Sequence, residues 1–469
     1  MQAGKLLFIV VELASLVQSL NIPATAISRS RLHTVTVTSR MVSTRRQTAL
    51  GQITGTGDHP PETPVKRPKE THPQTPPASK ISSRKRSSPA TPATPKTSAL
   101  LSREQVAQIA TSSKYQDLEI PPHELRPSAT LTTGQCFHWR VVTAPDEVSA
   151  PGSAWGTHDS TEWVGVLRTV VGESIVVAIK EVPETTLYRI LHGPPDLPYA
   201  KILHQYFQLD CPLAPLYETW SQQDPQRLAR IAPCIPGVRL VDQDPWECLI
   251  SFICSSNNNI PRITKMLQAL RQHYGKPLVT IQGEIDETVL YSFPSLKELK
   301  SKATEDDLRS LCGMGYRAKY IMTTMDILES LGGEQYLHEL RNNQDPIQVQ
   351  ESLLAFHGVG RKVADCVALF SLRQADAIPV DTHVWNLCRR DYDKDGVFQE
   401  VKSLTPAIYR QVGDTFRDRF NPKAGWAHSL LFVAELPSFR PVLHEDIVEE
   451  MDRVSQLSIT NCVSLSYTH

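Results

Sequence analysis

The chain has 469 residues, with 49 Lys and Arg against 50 Asp and Glu and a formal net charge of −1. That balance excludes a uniformly basic packaging protein but not a nucleic-acid enzyme with a local basic face. Nine cysteines without a Cys-x-x-Cys pair argue against a zinc site, a disulfide framework and a cysteine-ligated iron–sulfur cluster, and predict reduced thiols.

Residues 1–40 open with the apolar run Leu6 to Val11, which Glu12 interrupts and which is too short to span a membrane. Three readings stay open: a secretory signal flanked by Lys5, a mitochondrial transit segment in the acid-free, Ser/Thr/Arg-rich residues 22–49, and translation starting at Met41. Residues 41–114 are assigned as a disordered basic segment rich in Pro, Ser, Thr and Lys. Between Met41 and Leu100 lie ten of the 35 prolines and a net charge of +7. Such a stretch cannot bury enough apolar surface to offset its ordering entropy. Its clusters Lys66-Arg67-Pro68-Lys69 and Arg84-Lys85-Arg86 read equally as a nuclear import signal, a DNA-binding arm or a solvated tail.

Residues 115–240 predict an α+β domain. Leu131 to Trp139 alternates as a strand does, Trp163–Val171 and Ser174–Lys180 read as a β-hairpin, and Leu187–Leu209 has helical spacing. Gly134 beside its apolar run reads as a bulge or a close backbone approach.

Residues 241–440 predict a helical domain in which strand signals fade. Helices are expected at 245–255, 260–274, 295–300, 305–312, 316–330, 335–342, 347–355, 361–372, 381–390, 404–418 and 424–435, leaving 441–469 as a C-terminal tail. The run Leu353 to Phe370 places the turn Gly358-Val-Gly360 between two apolar helices, a helix-hairpin-helix pattern whose second helix offers free N–H groups to a phosphate. Lys362 lies in the first turn of that helix, where the dipole and desolvation would favour a neutral, nucleophilic amine, although a lone lysine there reads more readily as an exposed helix-start residue. Asp381, after the extended Pro379, is a natural N-cap, and His383 follows it as a phosphate ligand or a surface residue. The Asn257-Asn-Asn259 triplet with Arg262 offers donors to base edges, or simply makes a turn. In Gly313-Met-Gly-Tyr-Arg, Tyr316 and Arg317 suit insertion into a duplex and hydrogen bonding to a base.

Together these segments closely resemble the eukaryotic-type 8-oxoguanine DNA glycosylase/AP lyase of the helix-hairpin-helix, Gly/Pro…Asp superfamily. The resemblance runs from about Leu118 to Leu436. Its motifs are Gly134-Gln-Cys-Phe-His-Trp139, Asp244-Pro-Trp-Glu-Cys to Ile260, Gly315-Tyr-Arg-Ala-Lys-Tyr320, Gly358-Val-Gly-Arg-Lys-Val-Ala-Asp-Cys366, Pro379-Val-Asp-Thr-His-Val-Trp385 and Ala424-Gly-Trp-Ala-His428. It implies an α+β fold class: an antiparallel, TATA-binding-protein-like N-terminal sheet domain followed by the helical glycosylase domain. It implies Lys362 as the nucleophile at the sugar C1′ and Asp381 as the carboxylate that stabilises the oxocarbenium charge. Gly134 would accept a hydrogen bond from N7–H of the lesion. Cys366 and Phe432 would wall the extruded base, in a pocket shared with Phe370, Pro379 and His428. Asn257, Arg262 and Arg317 would hold the widowed cytosine, with Tyr316 as the wedge. Gly358, Gly360, Val363 and His383 would contact the DNA backbone.

The implied activity is excision of 8-oxoguanine and related oxidised purines opposite cytosine, through a lysine Schiff base and β-elimination. The implied partner is double-stranded DNA carrying that lesion. A monomer is expected, with hand-off to an AP endonuclease, no membrane, no metal ligand and no required cofactor, although the fold permits a structural monovalent cation at the hairpin carbonyls. The expected compartment is the nucleus, with the mitochondrion as an alternative. The competing reading is a catalytically silent DNA-binding or scaffold protein. It is disfavoured because Lys362 and Asp381 are both present, and only Cys388 and Cys462 follow Asp381, too few for the cysteine cluster of other branches. His428 stands where the family usually has a Gln that reads the Watson–Crick edge. Base selectivity, or its pH dependence, is therefore the expected point of difference.

Overall fold

The structure, a computed structural model, describes residues 101–102, 114–143, 162–170, 172–282, 287–393, 395–399, 401 and 403–459. The expectations for residues 1–40, for the basic clusters and for Cys462 lie outside them. Six strands form one sheet: β1 (Leu101–Ser102), β2 (Gln116–Asp117), β3 (Trp139–Thr143), β4 (Glu162–Arg168), β5 (Ser174–Glu181) and β6 (Thr186–His192), in the order β1-β3-β4-β5-β6-β2. The five strands β3-β4-β5-β6-β2 pair antiparallel, and β1 joins β3 in parallel.

Strand parity explains why β4 and β5 are buried nearly throughout. Trp163, Leu167, Ile175, Val177 and Ile179 face one cluster, shared with Leu203 and Phe207. The alternate residues Val164, Val166, Val176 and Ala178 pack with Leu290 on the other face. Leu290 belongs to a second hairpin, β7 (Pro277–Gln282) and β8 (Glu287–Tyr291), in the stretch between the helices expected at 260–274 and 295–300. The segment Pro277-Leu-Val-Thr-Ile-Gln is rich in β-branched residues and covers the exposed sheet face, so strand pairing wins there.

Two expectations in the first domain are corrected. Residues 187–192 are strand β6 rather than the start of a helix, because Leu187, Tyr188, Arg189 and Ile190 pair residue for residue with Lys180, Ile179, Ala178 and Val177. Leu131–His138 is a turn-rich loop after a short helix, α1 (Pro127–Thr130), and strand begins only at Trp139. The segment expected to be disordered through 114 also contains the paired residues of β1.

The helices continue as α2 (Tyr199–Tyr206), α3 (Ala214–Gln223), α4 (Leu228–Ile231), α5 (Pro245–Ile253), α6 (Ile260–Tyr274), α7 (Leu296–Lys302), α8 (Glu305–Ser310), α9 (Arg317–Ser330), α10 (Glu334–Leu340), α11 (Pro346–Leu354), α12 (Arg361–Ser371), α13 (Thr382–Leu387), α14 (Pro406–Arg419), α15 (Ala424–Glu435) and α16 (Glu445–Ile459). Side-chain caps set many of their starts. Asp244 accepts from the N–H of Glu247, Asn259 from that of Arg262, and Ser295 with Glu298 forms a capping box. Among the described residues, no helix is long and apolar enough to cross a membrane.

One large core joins these helices around the fully buried Trp220, Trp246 and Trp385. Trp220 and Leu228 belong to it, and the Trp220 indole donates to the Pro422 carbonyl at 2.8 Å. The core therefore does not divide near residue 240, because α3 and α4 pack with the helical part. Nor does it stop at 440. Residues 445–459, expected as part of a tail, form α16, whose Ile447 and Met451 are buried in the same core. Arg230 ties α16 down through Asp446 at 2.7 Å and Glu450 at 3.0 Å. Met451→Ala is expected to destabilise the chain by about 2–5 kcal/mol, read from urea unfolding midpoints, as a large-to-small change in a core that cannot fully collapse.

Candidate active site

The hairpin forms where α11 runs into α12. Gly358 has φ +80°, and a Cβ there would sit 2.5 Å from the Tyr320 ring, so both conformation and packing demand glycine. Gly360 has φ −89°, needs no left-handed conformation, and opens α12 as an N-cap that has no side chain. The first-turn N–H groups of α12, that of Val363 among them, thus meet no capping side chain and are suited to an anion.

One pocket brings together Gly134, Phe252, Lys362, Cys366, Phe370, Pro379, Asp381, His428 and Phe432, every residue expected at the catalytic centre and lesion pocket, with Phe252 added. Lys362 and Cys366 lie one turn apart on α12, so that the lysine charge acts on the thiol. The Lys362 ammonium also sits 5.7 Å from the centre of the Phe252 ring. Phe252 in turn stacks on Phe370 at 5.6 Å. Burial pushes the Cys366 thiol up to about 12, so it is neutral, with Lys362 opposing that shift and Asp381 adding to it. Asp381 caps α13 and accepts from the N–H groups of His383 at 2.9 Å and Val384 at 3.1 Å. Gly134 has φ +88° and lies against the Ile260 side chain. The ring of His383 meets that of Phe432 edge-on at 6.0 Å.

His428 is buried. Desolvation takes its pKa down to about 4, against a weaker opposing pull from Asp381. The ring is therefore neutral at ordinary pH.

Sequence reasoning missed a bracket behind the pocket. Asp365, on α12 between Lys362 and Cys366, is buried and accepts from the Tyr409 hydroxyl at 2.5 Å and from Gln350 at 2.7 Å. The Tyr409 oxygen accepts from the Val380 N–H at 3.2 Å, next to Asp381. One phenol thus links the helix of the lysine to the segment of the carboxylate. Burial raises the Asp365 carboxyl to about 6. Its signal in the sequence was an acid on an otherwise apolar helical face.

The expected duplex-facing group is assembled beside this pocket, with a changed division of labour. Of the three asparagines, Asn258 braces the end of α5 by donating to Cys254 at 2.8 Å, and Asn259 caps α6. Asn257 is exposed in a left-handed conformation at φ +46°. Arg262 is exposed on the first turn of α6. Arg317 is buried, and its guanidinium donates through Nε and Nη2 to the Ser256 carbonyl and through Nη2 to that of Asn257. Those donors brace the loop that presents Asn257. Tyr316 is 45% exposed, its hydroxyl donates to Ser256 and its ring meets Tyr320 edge-on at 5.5 Å. Tyr320 also meets His357 of the hairpin at 4.9 Å, which joins the Tyr316 turn to the hairpin. Among the described residues, no group of three or more His, Cys, Asp or Glu could hold a metal ion.

Comparison with known proteins gives a consistent set of likenesses. Residues 117–249 match the model of the 8-oxoguanine DNA glycosylase N-terminal domain, and residues 250–405 that of the HhH-GPD superfamily of base excision DNA repair proteins. The chain is 34% identical over 361 residues to the N-glycosylase/DNA lyase OGG1 of Arabidopsis thaliana, covering 75% of this chain and 89% of the relative. It is 38% identical over 255 residues to the N-glycosylase/DNA lyase of Saccharomyces cerevisiae, covering 50% and 66%. Among solved structures, the 8-oxoguanine glycosylase/lyase of Clostridium acetobutylicum in its apo form is 26% identical, with a TM-score of 0.52, covering 67% of this chain and 94% of that one. The same enzyme bound to double-stranded DNA with cytosine opposite 8-oxoguanine gives 0.51 at 26% identity, covering 66% and 91%.

A depressed histidine pKa sets the sign of a pH test. Between pH 6.5 and about 4 the unfolded chain binds a proton at residue 428 that the folded chain does not, so this contribution is complete above pH 6.5 and is lost as pH falls towards 4. His428→Gln is expected to melt progressively higher relative to the parent across that window, in thermal scans at matched pH.

Proposed function

The chain belongs to the 8-oxoguanine N-glycosylase/DNA lyase family of helix-hairpin-helix base excision repair enzymes, and on that premise we propose that it extrudes 8-oxoguanine, and ring-opened relatives such as formamidopyrimidine-guanine, from opposite cytosine and releases it through Lys362. The observation that carries this reading is the single pocket shared by Lys362, Asp381, Cys366 and Phe432. Taking a base out of the stack costs a few kcal/mol, which Tyr316, Asn257 and Arg262 would offset by filling the gap and pairing with the orphaned cytosine.

In the chemical step, the Lys362 nitrogen forms a bond to C1′ as the C1′–N9 bond breaks. The leaving purine takes the bonding pair, and a proton from the new ammonium passes to it. The Asp381 carboxylate, in the same pocket, would stabilise the positive charge that develops on the sugar. The cap bonds to His383 and Val384 keep it oriented for that task. Ring opening then gives a Schiff base, and loss of a C2′ proton expels the 3′ phosphate. Cys366 and Phe432 would flank the base, and the Gly134 carbonyl would accept from N7–H, where guanine instead presents a lone pair that repels it. The α12 N–H groups, the hairpin backbone and His383 would hold phosphate.

The family needs no cofactor, and no step is routed through a monovalent cation at the hairpin. A monomeric enzyme that acts in the nucleus or mitochondrion and passes its nicked product to an AP endonuclease belongs to the same proposal. A silent scaffold would have no need to keep a lysine and a carboxylate in one pocket.

Borohydride trapping on a duplex with one 8-oxoguanine·cytosine pair tests the reading. The parent is expected to give a covalent adduct and Lys362→Gln none. Asp381→Asn is expected to slow base release on the order of a hundredfold. An adduct of equal yield with Lys362→Gln would contradict the mechanism.

A further inference from the structure

A carbonyl tells N7–H from an N7 lone pair only if it is held in place. Both the attraction and the repulsion fade once the distance or angle is lost. Gly134 cannot supply that rigidity itself. Its φ of +88° suits glycine, and glycine has the freest backbone of any residue. The Gly134 carbonyl belongs to the planar peptide that enters Gln135, so whatever holds Gln135 also restrains that carbonyl.

Gln135 is buried and held from two directions. Its side-chain amide donates to the carbonyls of Thr130 at 2.8 Å and Arg239 at 2.9 Å and accepts from the Val241 N–H at 2.9 Å. Its main-chain carbonyl accepts at 2.7 Å from the side chain of Gln243, which is also buried. Gln243 is in turn fastened to the end of the lysine helix, α12. Its N–H donates to the Phe370 carbonyl at 3.0 Å. Its carbonyl accepts from Arg341 at 2.8 Å, and Arg341 also donates to the Ser371 carbonyl at 2.9 Å. The last carbonyls of a helix have no partner within it, so these donors meet a standing need and root Gln243 there. The side chain of Gln243 is thus an arm with its root on α12 and its tip on the Gly134 turn. It acts from behind the pocket wall, through Gln135 and Phe370, which line the pocket.

We propose that Gln243 is a specificity-determining positioning residue: through the Gln135 carbonyl it keeps the lesion-reading carbonyl of Gly134 in register with the helix that carries Lys362. The inference deepens the function proposed above and rests on it. Without the Gln243 donor the Gln135 carbonyl is buried and short of its partner, which is costly, and the turn relaxes at the glycine, its softest joint. Attack at C1′ by Lys362 does not pass through this arm. Selection of the oxidised base over guanine does.

The test compares the full chain with Gln243→Met, which keeps the length of the side chain and removes its donor. Two ratios are read. The first is the single-turnover rate of 8-oxoguanine release opposite cytosine, divided by the rate of cleavage at a preformed abasic site, which needs the amine but no base reading. The second is the dissociation constant for a duplex holding 2′-fluoro-2′-deoxyguanosine divided by that for its 8-oxo counterpart, sugars from which the base departs too slowly to interfere. The proposal expects both ratios to fall by about tenfold in Gln243→Met while abasic cleavage stays within about twofold of the parent. It is overturned if either ratio stays at the parent value, or if abasic cleavage falls in step with base release, because the arm would then support the whole site and not the reading carbonyl. Should Gln243→Met not fold, Gln243→Asn, whose amide is one methylene too short to reach, is judged by the same ratios. A parent that releases no 8-oxoguanine would sink the proposed function and this inference with it. An active parent with unchanged ratios in the variant would sink this inference alone.

Discussion

The hydroxyl of Tyr409 is the point on which the site turns. It donates to Asp365 on the helix of Lys362 and accepts from the Val380 N–H beside Asp381. A lysine on one helix and a carboxylate capping another can share chemistry only if the two elements keep their register, and here one buried oxygen ties both. Asp365 has its second oxygen taken by Gln350, which in turn accepts from Arg361, so the bracket reaches back to α11 and to the first turn of the lysine helix. Buried polar networks of this kind specify geometry because each member is costly to leave unpaired. Lys362 in the first turn of α12 works against the helix dipole, and the Phe252 ring helps to hold it.

The second constraint is mechanical. Phe252 contributes to the pocket at one end of α5, and the Ser256-Asn257 loop at the same end is gripped by Arg317 and Tyr316. The group that would fill an emptied duplex is therefore built onto the helix that lines the base pocket. Tyr320 joins the Tyr316 turn to the hairpin through Gly358 and His357. The Tyr316 turn, the hairpin and the pocket are parts of one packed unit, as the proposed chemistry on strained DNA would require.

Much of the site was legible in the sequence because its residues sit at conspicuous local features. Gly358 in a turn, Asp381 as a cap and Lys362 in a first turn are all fixed by neighbours a few positions away. What escaped was long-range. The Asp365–Tyr409 pair spans 44 positions, and the β7–β8 hairpin makes sense only once the sheet face it covers is known. The same holds for residues 187–192, whose helical spacing lost to pairing with β5, and for α16, whose apolar stripe at Ile447 and Met451 has meaning only against the core it seals. In the asparagine triplet, capping and bracing consume Asn259 and Asn258 and leave outward Asn257, the one the resemblance singles out.

The most direct measurement is the single-turnover excision rate of Tyr409→Phe at saturating enzyme, taken with the duplex dissociation constant. If one phenol sets the register between amine and carboxylate, the rate falls by about tenfold or more while DNA affinity stays near the parent value. A rate equal to the parent's would contradict the account, because the two groups would then be held by packing alone.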